Sequence, residues 1–169
     1  MNVELGGVPL DTENGPPQQE YGELGGSNVG RRSGGKGVPM THWSKTAVTI
    51  SGSGMYGAAL HGLDFTQPME LRCTQPLELS TTELTGTVST DIRPDVSPWA
   101  WALVDGERIR APITRVAGTR DFVLTAVPDA ARYIVCWMPV FIVKASRPTR
   151  SWSAVPGELH AWTLTAEEL

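Results

Sequence analysis

The chain has 169 residues, with 14 Lys+Arg against 18 Asp+Glu for a net charge of −4, and two cysteines. That length fits one domain with an arm and suffices for a self-supporting core, while the mild acidity leaves no broad electrostatic footprint for nucleic acid or an anionic membrane. The opening MNVELGGVPL has no basic stretch followed by an apolar one, so no secretory signal peptide is expected and synthesis in a cytoplasm is.

Ten glycines and four prolines fall within residues 1–40. This segment reads as an extended, glycine-rich arm, followed by a single β domain over residues 41–169. Val3, Leu5, Val8 and Leu10 around Gly6-Gly7 suit a small hairpin, because two glycines accept the positive φ of a tight turn. Tyr21, Leu24 and Val29 are the other anchors, too few to offset the ordering entropy of the segment. The arm is either mobile or ordered by a neighbour, and the neighbour is the expectation.

Trp43 to Ser51 alternates as a half-buried strand, ended by Gly52-Ser53-Gly54. MYGAALHGLDF, from Met55 to Phe65, is the one helix candidate before Asp129, of a turn or two at most. Thr66 to Leu71 and Thr74 to Leu79 echo each other as TQPMEL and TQPLEL. They read as two strands with apolar residues inward, Glu70 and Glu78 outward, and Cys73 buried; a single echo is not an array. Leu84 to Thr90 is a modest strand and Ile92 to Pro98 a loop. Asp105-Gly106 between Trp99–Val104 and Glu107–Ile113 is a strong hairpin signal, with Trp99, Trp101 and Leu103 sharing a face. Ala117-Gly118-Thr119 turns the chain into Phe122–Val127.

Arg132 to Ser146, RYIVCWMPVFIVKAS, is the longest apolar run and reads as the central strand, covered on both faces from Tyr133 to Val143. It is shorter than the about 20 apolar residues of a membrane span. Pro139 cannot donate to a ladder, so a bulge or a crossing between sheets is expected there. Arg147 to Arg150 is a loop and Leu159 to Thr165 a closing strand. Eight to ten short strands at this spacing make the fold class all-β, an antiparallel sandwich or barrel. Cys73 and Cys136 are expected as buried free thiols, with pairing undecided by spacing.

Gly30 to Lys36 satisfies GxxxxGK, but Gly37 stands where a phosphate loop needs Ser or Thr, no apolar strand precedes it and Pro39 follows. A glycine-rich hairpin tip carrying Arg31, Arg32 and Lys36 is the better reading. Ser51 to Gly54 does not match G-x-S-x-G. His42, His61 and His160 lack metal-ligand spacing, and the aspartates fall at turns. No catalytic residue, metal site or cofactor is selected. Of the six tryptophans, Trp101 and Trp137 are assigned to the core, and Trp43 and Trp152, beside polar loops, to contact surfaces.

Residues 18–73 carry the Tyr21–Gly26 arm, His42-Trp43-Ser44-Lys45, the Ile50-Ser-Gly-Ser-Gly54 turn, Gly62-Leu63-Asp64-Phe65 and Gln67-Pro68-Met69-Glu70-Leu71-Arg72-Cys73. In this pattern the segment resembles the N-terminal half of small virion structural proteins in the tail-tip or baseplate region of long-tailed phages. The resemblance implies a β-rich distal-tail subunit with no enzymatic residues, located in the virion. The partners it implies are further copies of the chain in a symmetric ring and neighbouring tail proteins, without nucleic acid or membrane. The candidate assembly contacts are Tyr21, Leu24, Arg31, Arg32, Lys36, Trp43 and Trp152. The alternative is a carbohydrate-binding β-sandwich that adheres to a host glycan through tryptophans. A small hydrolase has no motif in its favour.

Overall fold

The computed structural model describes residues 1–10, 15–54, 58–116, 118–152 and 160–169, the side chains of residues 27, 28 and 41 apart. Among the described residues it holds sixteen strands and no helix. These are β1 (Val3–Leu5), β2 (Val8–Leu10), β3 (Gln18–Arg31), β4 (Gly37–Gly54), β5 (Met69–Arg72), β6 (Leu77–Thr81), β7 (Thr85–Thr87) and β8 (Asp91–Ile92). They continue as β9 (Trp99–Val104), β10 (Glu107–Ala111), β11 (Ile113–Arg115), β12 (Asp121–Leu124), β13 (Arg132–Trp137), β14 (Pro139–Ala145), β15 (Thr149–Ser151) and β16 (His160–Glu168). The all-β antiparallel class is as expected. The strands outnumber the expected eight to ten because pairings of two or three residues, as in β8, β11 and β15, leave no pattern in sequence. The chain forms two compact units, Met1–Glu4 with Leu71–Phe141, and Leu5–Glu70 with Ile142–Leu169.

In the first unit, β10-β9-β13-β6 form one antiparallel sheet and β11-β12-β7 another. Asp105 and Gly106 take φ of 50° and 88° in the β9–β10 turn, as their Asp-Gly sequence demands. Val135 pairs with Ala100 and Leu79, and Ala100 with Ala111, so one row across the sheet is Ala111, Ala100, Val135 and Leu79 and packs into the core. Phe122 and Leu124 of the second sheet join Val135, Tyr133 and Trp137 in a single buried cluster, which is sandwich packing. The polar ends of the buried aromatics are satisfied: Trp137 Nε1 donates to Thr90 Oγ1 at 2.9 Å, and Tyr133 Oη accepts from the Val127 amide at 2.9 Å.

Trp101 is a correction. Ala100 and Ala102 take the buried positions of β9, because the inward face must leave room for Tyr133, Trp137 and Phe122. Trp101 faces outward, half-buried, with the Arg110 guanidinium 5.2 Å from its ring centre. Trp137 is core, at 2% exposure.

Arg93 in this unit is 1% exposed and was not distinguished by sequence. Its Nε and Nη2 donate to Asp95 Oδ1 and Oδ2 at 2.8 and 3.0 Å, Nη2 also to Glu4 Oε1 at 3.2 Å, and Nη1 to the Asn2 carbonyl at 2.8 Å. Longer contacts from Nη1 reach the carbonyls of Cys73 and Arg72 at 3.4 and 3.5 Å. This buried cation ties the N-terminal residues to β5 and to the loop after β8. Cys73 and Cys136 are buried free thiols, and burial, with the Glu78 charge next, pushes the Cys136 thiol above its ordinary value.

The chain does change sheets at Pro139. Trp137 pairs with Leu77 in the four-stranded sheet, and Pro139 pairs with Ile92 of β8 in another. The expected two-sided burial of this run does not extend past Phe141: Ile142 is 50% exposed and Lys144 points outward.

In the second unit β14, β16, β4 and β3 lie in that order, with β15 on β16. Val48 pairs with Tyr21 on one side and Ala166 on the other, and Ile50 with Gln19 and Leu164, so Val48, Ile50, Leu164 and Ala166 form the buried face. Val3, Leu5 and Leu10 are buried to 2% exposure or less. β1 and β2 are neighbours joined through Gly6 and Gly7, at φ of 57° and 79°, as expected of that pair. The helix candidate is corrected: residues 55–57 lie outside the described residues, and Ala58–Leu63 makes only turn bonds, Leu60 N to Ala58 O and Leu63 N to Leu60 O. Flanking glycines leave too few residues to nucleate a helix. Ala117 and Leu159, taken above as parts of a turn and a strand, also lie outside the described residues. β4 is far longer than the Trp43–Ser51 strand read from alternation, and the boundary expected at residue 40 falls inside it.

Candidate assembly surface on a long hairpin

β3 and β4 form one antiparallel hairpin closed by Arg32–Lys36, where the Gly35 amide donates to Arg32 O at 2.8 Å and the Arg32 amide to Lys36 O at 3.1 Å. β16 pairs with β4 only from Gly54 to Ala47. Two further bonds close the base: Lys45 Nζ to Leu169 O at 2.7 Å and the Thr46 amide to Glu168 Oε2 at 2.8 Å. Beyond them, among the described residues, the strands have each other as hydrogen-bond partners. From Ala47 to Gly37 the ribbon extends roughly 30 Å at the usual rise of a strand.

The bases of the faces are set by parity. Tyr21, opposite Val48, lies on the buried face, so Gly22, Leu24 and Gly26 lie on the other. The register shifts between Gly25 and Ser27: Gly25 pairs with Ser44 and Ser27 with Thr41, which places one extra residue in β4. Trp43 and Met40, three apart, therefore share a face. Contacts to glycines fix which face it is. A Cβ on Gly26 would meet Trp43 Nε1 at 2.6 Å, and one on Gly30 would meet Met40 Cε at 2.9 Å, so both side chains lie flat across glycine backbone. Leu24, Trp43, Met40 and Val38 make a stripe on the side away from the buried face, with Trp43 51% and Met40 43% exposed. Val29, 58% exposed, lies on the opposite side over Gly37, where a Cβ would meet its Cγ1 at 3.0 Å.

Charge is divided just as unevenly. From Leu24 to Lys45 there is no acidic residue, while Arg31, Arg32, Lys36 and Lys45 are present, so the net −4 splits into +4 here and −8 elsewhere. Arg31 Nη1 donates to Gly35 O at 3.2 Å; Arg31, Arg32 and Lys36 are all exposed at the tip.

The structure thus places Leu24, Trp43, Arg31, Arg32 and Lys36 on one ribbon, Leu24 and Trp43 toward its base and the three cations at its tip. Tyr21 it sets on the other face at the hairpin base, half-buried. Trp152 stands apart from the ribbon: it is 68% exposed and stacks on His160 with ring centres 5.8 Å apart, and His160 pairs with Gly54, the end of β4 remote from the turn. Met40 and Val38 escaped the sequence reading because the extra residue in β4 is invisible there; the spacing of Gly26 and Gly30 is the one signal that pointed to them. Among the described residues no three metal-ligating side chains come together. Comparison with protein-family models, with curated proteins and with solved structures finds no match to this chain.

Proposed function

We propose that the chain is a structural subunit of a phage virion, in the tail-tip or baseplate region. In this reading it assembles as a symmetric ring, with the β3–β4 hairpin clasping a neighbouring subunit or tail protein. The observation that carries the reading is the Leu24–Trp43–Met40–Val38 stripe, exposed at Trp43 and Met40, on a ribbon whose strands beyond the base have, among the described residues, only each other as partners. A two-stranded hairpin is marginal in water, and exposed aromatic anchors are what interfaces use. The β3 edge from Gly22 to the turn, unpaired among the described residues, is a liability in a free monomer and an interface in an assembly.

The test replaces residues 26–43 by a two-residue turn, which keeps the β16 pairing and the buried Val3, Leu5 and Leu10. The expected result is a closed oligomer for the full chain and a folded monomer for the shortened one, measured by native mass over a range of concentrations. A shortened chain that still assembles would refute the clasp, and a full chain that neither self-associates nor binds tail proteins would refute the structural reading.

The flat Trp152–His160 pair supports the alternative, adhesion to a host saccharide. Trp152→Ala then abolishes retention on host polysaccharide; equal retention by both forms removes this alternative.

A further inference from the structure

A cavity of about 200 Å³ in the second unit is lined by Leu60, His61, Phe65, Arg147, Pro148 and Arg150. Its floor is apolar: Leu60 is buried, and Phe65 and Pro148 are half-buried. Three exposed nitrogen-bearing side chains stand at the rim. Arg150 is held in place, its Nη2 donating to the Ala58 carbonyl at 3.1 Å. Among the described residues, Arg147 and His61 make no hydrogen bond or ion pair and no carboxylate lines the cavity. Larger depressions over β3, β4 and β16, of about 440 and 390 Å³, carry no cation at all.

Two guanidinium groups beside an apolar floor, without an anion among the described residues to occupy them, specify a ligand. A guanidinium offers a planar fork of donors that matches the two oxygens of a carboxylate. The apolar floor selects against a bare inorganic anion, which would lose hydration over Leu60 and Phe65 and gain nothing from them. The volume, below the about 300–1,000 Å³ of sites for larger ligands, admits a single ring rather than a chain of them. We propose that this cavity binds a carboxylate carried on one ring, with the ring on Leu60, Phe65 and Pro148 and the carboxylate on Arg147 and Arg150. An acidic monosaccharide and an aromatic acid share that chemistry. The site stands independently of the hairpin and of the assembly reading.

The test is a titration of the full-length, ¹⁵N-labelled chain with D-glucuronate, benzoate, D-glucose and inorganic phosphate, each separately. Saturable shifts confined to the amides of residues 60–65 and 147–150 are expected with glucuronate, with benzoate or with both. Which of the two binds names the source of the carboxylate. Arg147 is exposed and makes no internal bond, so Arg147→Gln keeps the fold, as its unchanged spectrum elsewhere will verify. It should weaken binding about tenfold or more, the usual loss for a charge-assisted hydrogen bond, with Arg147→Lys recovering part of it. Absence of saturable shifts with both carboxylates, an equal response to glucose or phosphate, or unchanged affinity in Arg147→Gln would each overturn the proposal.

Discussion

Replacing Arg93 by Met tests whether the first unit is held to its N-terminal residues by one buried cation. The guanidinium is 1% exposed and uses Nε, Nη1 and Nη2 toward two carboxylates and three backbone carbonyls. Breaking a buried pair by removing one partner costs about 3–5 kcal/mol when the remaining charge stays buried. Here the remaining charges do not: the Asp95 side chain is 46% exposed and that of Glu4 27%, so both regain water. The lasting loss is of the bonds to the carbonyls of Asn2, Arg72 and Cys73, at about 1 kcal/mol for each hydrogen bond. About 3 kcal/mol in total is the expected cost, or a fall in melting temperature of roughly 6–12 °C for a chain of this size. Thermal unfolding followed by near-UV circular dichroism measures it. Arg93→Lys keeps the charge without the fork and should fall between the two. A melting temperature for Arg93→Met within about 2 °C of the parent would refute the reasoning, since the loss would then be under about 1 kcal/mol.

Three further outcomes follow from the same structure. Hydrogen bonding from Arg93, against a smaller desolvation effect, holds the Asp95 carboxyl below its ordinary value. Its stabilisation is therefore complete above the unfolded carboxyl value of about 3.9 and is lost as pH falls through the lower folded one. The stability gap between the parent and Asp95→Asn should be constant from neutral pH down to about 5 and close below about 4; a gap that widens in acid contradicts the assignment. With Asp95 nearly half exposed, the gap itself should be about 1 kcal/mol or less. Cys136, buried and with its thiol pushed up, should react with a thiol reagent only at the rate of unfolding, and fast labelling of native protein would count against its burial. Gly26→Val should displace the Trp43 indole, shifting the one indole N–H resonance that Trp43→Phe removes and sparing the Trp137 and Trp162 resonances.

Local chemistry explains which parts of the fold were legible in the sequence. Asp105-Gly106 and Gly6-Gly7 announced their turns because few residues accept positive φ. Pro139 announced the change of sheet because it has no amide to donate, and Glu70 and Glu78 marked the outward parity of their strands. What failed depends on partners remote in sequence. Alternation alone put Trp101 inward, whereas the volume of Phe122 and Trp137 across the core decides that Ala100 and Ala102 go there. Arg93 gave no signal, because its partners Asn2, Glu4 and Cys73 are distant in the chain. The cavity between the Leu60–Phe65 turns and Arg147–Arg150 was hidden for the same reason. At the hairpin, the cations of the tip were read correctly as a glycine-rich turn, but the stripe needed the extra residue in β4.

The glycines of the ribbon bear on why it exists. Glycine in a strand interior costs stability relative to a residue with a side chain, and β3 has four, at positions 22, 25, 26 and 30. A hairpin that served only as a connection would gain by replacing them with β-branched residues. At Gly26 and Gly30 that replacement would force Trp43 and Met40 off the ribbon, since a Cβ would meet Trp43 at 2.6 Å and Met40 at 2.9 Å. The two glycines thus keep two large apolar side chains flat against one face, where each stays about half exposed to water. Such an arrangement sacrifices strand propensity and leaves apolar surface uncovered, so within the monomer it has no compensation. On the assembly proposed above, the compensation comes from the partner that covers Trp43 and Met40. Restoring strand propensity at Gly26 should therefore leave the fold no less stable while weakening assembly, an opposition that a purely internal role for the glycines would not produce.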